Sequence, residues 1–174
     1  MTAPARGGSV QEVRAAVSSF LADGSIPYLS HVYKAPPFDM GTIPWDTLIQ
    51  PGETATCFAV LWIDRESDLQ PIAMDGKGGR RICRYDATLG LFFFDTSGDA
   101  ETAQDKLDQV IDGVKQRLRS DPALGTDPET SNIIAAATEQ LDINRGRPER
   151  QGGGDTFGAL TEVLFNVDSY EWSS

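Results

Sequence analysis

Apolar residues recur along this chain at two spacings. Val10, Val13, Val17, Phe20 and Leu21 fall at the intervals of one helical face. Ser9 is placed to cap the start of that helix and Gly24 to stop it. Further on, Ala103, Leu107, Val110, Ile111, Val114 and Leu118 lie within an arc of about 100° at 3.6 residues per turn. This predicts a helix over 99–119, capped by Asp99 or Ser97 and ended by Asp121-Pro122. Its charges run from Asp99, Glu101, Asp105, Asp108 and Asp112 to Lys115, Arg117 and Arg119, the order a helix dipole favours; Lys106 is the exception. Gly113, at the edge of the apolar stripe, costs the helix about 1 kcal/mol relative to Ala and leaves room for another backbone to come close.

Between the helices the spacing changes. "IPYLSHVYK", "ATCFAVLWID" (55–64), "RRICRYDATLGLFFFD" (80–95) and "ALTEVLFNVDSYEW" (159–172) are rich in β-branched and aromatic residues and predict strands, mostly antiparallel. Val163, Phe165 and Val167 share one face of the last strand. The unbroken run Leu91–Phe94 predicts a strand buried on both faces, one of them under the 99–119 helix. "MDGKGGR" is turn-rich. Residues 127–145 give a divided signal: an Asp-Pro start and a run of alanines predict helix, whereas "EQLDINR" alternates like a strand. The expected fold class is α+β, a mixed, mostly antiparallel sheet packed against two α-helices. It forms a single domain over 10–172, with a flexible tail at 1–9 and a flexible loop at 146–156.

One stretch fits neither spacing. Residues 35–54, "APPFDMGTIPWDTLIQPGET", carry four prolines, which exclude a helix or a central strand. They also carry Phe38, Met40, Ile43, Trp45, Leu48 and Ile49. An extended proline-rich arm with that much apolar surface needs something to lie on. These six residues are the candidate subunit or partner interface.

Charge and candidate chemistry narrow the function. The net charge of −11 disfavours gripping phosphate backbones, which works by displacing counterions with Lys and Arg. No apolar run approaches the roughly 18 residues of a membrane span, and the first residues lack the pattern of a signal peptide. Cys57 and Cys83 sit in apolar, strand-like runs and are expected as buried thiols, with no CxxC or Cys/His cluster for zinc. His31 is the only histidine and has no nucleophile motif near it. "DRESD" (64–68) spaces three carboxylates as calcium loops do, but Leu69 replaces the required glycine and Asp75 the final Glu, so a solvated turn is expected. "GKGG" and "GGG" match no phosphate-cradling motif. Asp95 and Asp99 could pair as acid and base, yet a strand end and a helix start both favour carboxylates without catalysis. No enzymatic site, cofactor or metal is expected.

The segments "VRAAVSSFLADG", "FFFDTSGDAETAQDKLDQVIDGVKQRLRSDP" and "EVLFNVDSY", in that order, resemble the tail terminator proteins of long-tailed bacteriophages, particularly those of actinobacterial phages. The resemblance spans most of residues 10–172 and is one of layout, since the family has no catalytic motif. It implies helices packed on a β-sheet and a homo-hexameric ring at the head-proximal end of the tail tube. That ring halts tube polymerisation and offers a joining surface to the head-side connector or stopper. The implied partners are further copies, the tail tube protein and the connector, with DNA passing through the lumen without specific binding and no membrane involved. The implied location is the virion neck, with assembly in the host cytoplasm. The arm departs from compact members of the family, and a neighbouring subunit would give it a surface. Two other readings stand beside this one: another head–tail joining protein, such as a stopper or adaptor ring, and a small enzyme or ligand-binding α/β domain.

Overall fold

The computed structural model describes residues 10–37, 39, 43–75, 78–127, 129–139 and 141–172, with the backbone alone for 68–75, 78–80 and 172. Helix α1 (Val10–Leu21) leads into β1 (Leu29–Tyr33), then a 3-10 turn at Trp45–Leu48, then β2 (Ala55–Asp75) and β3 (Gly78–Asp95). Helix α2 (Ala100–Ser120) follows, and then β4 (Ile133–Ala136), β5 (Asp142–Asn144), β6 (Glu149–Arg150) and β7 (Phe157–Trp172). The strands form one mixed sheet in the order β1-β2-β3-β7-β4, with β5 and β6 also paired to β7. The fold class is therefore α+β.

Three long strands carry the sheet. β2 and β3 pair from Ala55↔Asp95 to Asp75↔Gly78, and β3 pairs with β7 from Arg80↔Trp172 to Asp95↔Phe157. Cross-strand partners share a face. Cys57, Ala59 and Leu61 therefore line up with Phe93, Leu91 and Leu89, and these with Ala159, Thr161 and Val163; further along the same face, Ala87 and Tyr85 meet Phe165 and Val167 in one core. Both helices lie over that face, through Val13, Val17, Phe20 and Leu21 of α1 and the predicted stripe of α2. Asp99 caps α2, accepting from the Thr102 N–H. Arg117 joins the helices: its Nε donates to the Phe20 carbonyl at 3.0 Å, its guanidinium lies 3.7 Å over the Phe20 ring, and it pairs with Asp23 at 2.9 Å. Gly113 is closely approached, but by side chains where a backbone was expected. A Cβ there would lie 3.1 Å from Ile26 and 3.3 Å from Pro27.

Several expectations are revised. "DRESD" begins inside β2 instead of forming a turn, because β2 and β3 stay paired as one long hairpin to its tip. The alanine-rich stretch after residue 127 is strand, not helix. Ile133 and Ala136 are buried beside β7, and Glu12 of α1 accepts from the backbone and side-chain N–H groups of Asn132. Burial and pairing outweigh the helix preference of alanine, which is worth only tenths of a kcal/mol per residue. The 146–156 loop contains β6, which returns to β7 through a turn closed by Gln151 N–H on the Thr156 carbonyl at 2.8 Å. Ser9 lies outside the described residues. Cys57 and Cys83 are both buried and neither is in a disulfide. Cys57 pairs with Phe93, ten residues from Cys83 along β3, or roughly 30 Å at about 3.3 Å per residue.

The placement of α2 makes a direct prediction. Leu107 is fully buried against the sheet, so Leu107→Ala should lower unfolding free energy by about 2–5 kcal/mol. Val114→Asp should lower it further. Urea melts that match wild type for both variants would displace α2 from the core.

Candidate interaction surface

The second face of the sheet carries no α-helix among the described residues. Its side chains follow from the alternation that built the core: Phe58, Val60 and Trp62 on β2, Phe92 and Phe94 on β3, Leu160 on β7. Phe58 stacks on Phe92 with centroids 5.0 Å apart and planes 6° from parallel, and lies 6.2 Å from Phe94. The Tyr33 ring meets Phe58 edge-on at 5.9 Å, and the His31 ring meets Tyr33 at 4.3 Å. His31 thus ends an aromatic row at an exposed edge. The Trp62 indole sits against Gly90, where a Cβ would come within 2.5 Å of it. Phe92 and Phe94 are half-buried, so this face is less covered than the run of phenylalanines suggested. Leu160 is the most open, at 45% exposure.

The described part of the proline-rich segment, residues 43–54, meets this face through Trp45. β1 and β2 are adjacent and parallel, so the chain between them must cross over one side of the sheet. The helices occupy the other side. The Trp45 ring stacks on Phe94 at 4.6 Å and 10°. The Leu48 carbonyl accepts from Ser30 Oγ at 3.1 Å and from Thr56 Oγ1 at 3.3 Å. At the arm's end, Lys106 Nζ donates to Thr54 Oγ1, which donates in turn to Asp95 Oδ1 at 2.8 Å. Asp95 is wholly buried and also accepts from the Ser97 N–H and hydroxyl. It is a latch between arm, sheet and helix, with no acid–base partner in Asp99. Asp99 is held below the ordinary carboxylate range by the Thr102 hydroxyl and then the Thr102 N–H.

Of the six arm residues singled out by sequence, Ile43, Trp45, Leu48 and Ile49 lie on this surface, each half-buried. Phe38 and Met40 fall outside the described residues. Sequence reasoning missed Phe58, Trp62 and Leu160. The available signal was the alternation Phe58, Val60, Trp62, which repeats the spacing of Phe92 and Phe94.

One other group gathers titratable atoms. The donor atoms of Glu66, Cys83 and Glu171 lie within 4.8 Å of one another, where β2, β3 and β7 run side by side. The Cys83 thiol donates to Glu171 at 2.8 Å. Burial, then the Glu66 carboxylate, raises the Tyr85 phenol above its ordinary range.

No family model matches this chain, and no curated protein does. Among solved structures, it is similar to a chain of the virion of a native gene transfer agent particle. The match covers 91% of this chain and 94% of that one, with 15% identity and a TM-score of 0.38.

The contact between Trp62 and Gly90 offers a test of the surface. Gly90→Ala should displace the indole and cost about 1–3 kcal/mol. It should also shift the tryptophan emission. Adding Trp62→Ala should remove most of that penalty. Equal penalties with and without Trp62 would mean that the ring does not rest on Gly90.

Proposed function

We propose that this chain is a structural virion protein that forms a ring at the head-proximal end of a phage tail tube, where it stops tube polymerisation and presents the joining surface for the head connector. The observation that carries the proposal is the aromatic face and its arm. A lone chain leaves Ile43, Trp45, Leu48, Ile49, Phe92, Phe94 and Leu160 partly open on one side, and contiguous apolar surface of this kind marks a contact with another protein. The tail terminator resemblance supplies the kind of assembly.

Two helices on one face of the sheet, and a second face with no α-helix among the described residues, support a terminator over a stopper built as a short all-β barrel. The working partners are further copies, six in a ring, with the tail tube protein on one side and the connector on the other. The acidic balance suits a lumen that DNA traverses without being held. No catalytic step is assigned.

The first test is the mass of the purified protein by light scattering or analytical centrifugation, alongside electron microscopy of intact particles. A ring of several copies, located between head and tail tube, is expected. A monomer at all concentrations, absent from particles, would end the proposal. A second measurement addresses the lumen: filter binding of assembled rings to duplex DNA at low salt should show only weak retention. Tight, salt-sensitive retention would mean a basic surface faces DNA.

A further inference from the structure

The register extends the second face of the sheet past its aromatic row. Phe58, Phe92 and Leu160 stand side by side across β2, β3 and β7. Two residues along, Glu162 stands beside Gly90, and two further on Trp62, Thr88, Leu164 and Asp142 form another row. Asp86 and Asn166 follow. From Phe92 to Asp86 the strip runs about 20 Å, at about 3.3 Å per residue. Its far end is an open concavity of about 470 Å³, where Leu164 lies among Asp64, Asp86, Glu139 and Asp142, with Arg65 the one cation in the lining. Arg84, nearby, is already held by Glu139 and Asp168. Asp86 and Glu162 are half-buried, yet neither has a hydrogen-bond or ion-pair partner among the described residues. Among those residues only Glu66, Cys83 and Glu171 gather three donor atoms within 4.8 Å of one another. The carboxylates of the strip stand farther apart, a spacing that suits a guanidinium or ammonium group better than a metal ion.

We infer that this strip docks a cationic, apolar segment of a different protein, one that offers arginine or lysine flanked by large apolar side chains. The inference rests on the reading above only in taking this face as a joining surface, and it adds what the joined protein must offer. Charge complementarity decides the occupant. A half-buried carboxylate without a partner has lost part of its hydration, and an arriving cation restores the balance. The partner's apolar side chains meet Leu160, Leu164 and Trp62, and the stems of its cations can lie along the rings. A second copy does not offer this. Each copy carries −11, and two such faces repel each other. Leu160 is the one large apolar residue strongly exposed among the described residues, and it belongs to this same acidic face. Of a copy's cations, Arg84, Lys106, Lys115, Arg117 and Arg145 are held by its own carboxylates.

The probe is a short labelled peptide of alternating arginine and leucine, titrated with the full-length chain and followed by fluorescence anisotropy. Two comparison peptides carry glutamate for arginine, or serine for leucine. Only the arginine–leucine peptide should bind. Asp86→Asn with Glu162→Gln should weaken binding at least about tenfold at low salt, and Leu160→Ser should weaken it at all salt concentrations, with unchanged melting temperatures. Glu101→Gln with Asp105→Asn removes the same charge from the exposed side of α2 and should change affinity by less than about twofold. The peptide should also shift the tryptophan emission of wild type, and that shift should vanish in Trp62→Phe; this reading does not depend on the charge variants. No binding to wild type, equal binding of the serine peptide, or equal loss in the two neutralised pairs would each overturn the inference, the last because net charge alone would then attract the peptide. If Leu160→Ser or the Asp86 and Glu162 pair instead disperses assemblies that wild type forms, the face belongs to a second copy and the inference falls. Rings that form while no peptide binds end this inference and leave the ring reading. Peptide binding by a chain that is monomeric and absent from particles does the reverse.

Discussion

The parallel pairing of β1 with β2 governs the rest of the molecule. Antiparallel neighbours need only a tight turn, but parallel neighbours need a connection that crosses the sheet. In most such units a helix makes the crossing and buries the face beneath it. Here both helices are committed to the opposite face, and the connection carries four prolines and, among its described residues, only the short 3-10 turn Trp45–Leu48. The result is a sheet with one sealed face and one partly dressed face. The dressing is anchored through main-chain and hydroxyl groups, at the Leu48 carbonyl and at the Thr54–Asp95–Lys106 latch, more than through buried side chains. The exposed apolar surface is thus a by-product of strand order.

That arrangement separates two demands on the sequence. The sealed face meets the demand for stability, with Leu89, Leu91, Phe93, Leu107 and Val163 fully buried. The aromatic face contributes rings stacked on one another across strands, and such stacks keep their geometry while still wet on one side. Rigid, half-buried aromatic residues are well suited to contact another protein, because little side-chain entropy is lost when a second surface arrives.

Much of the fold was legible in the sequence because its periods are strong. The α2 stripe and the Val163–Phe165–Val167 alternation admit one burial pattern each, and both occur as expected. The stretch after residue 127 was misleading, since alanines favour helix locally and nothing in the local pattern records that β7 has a free edge needing partners. "DRESD" misled in the opposite way. Its charge density suggests a turn, yet a hairpin limb that projects along one partner strand tolerates charges. For the surface, the apolar residues of the arm identified themselves by standing in a proline-rich segment. Leu160 did not, because one leucine in a strand gives no sign of which face it occupies until the register with Phe92 is known.

The long separation between β3 and β7 has a consequence for how the protein is made. β3 contains "LGLFFF", a run of high β-propensity without charge, and its second edge is filled only by β7, after residues 96–156 have been synthesised. Through that interval the strand is a template for pairing with any other nascent chain. The element that directly follows it is α2, which packs on the same strand and is a local, fast-forming structure. Gene order within the chain thus shields the most aggregation-prone segment first by its face, and later by its edge. Polysomes carrying many unfinished copies would gain most from that sequence of events.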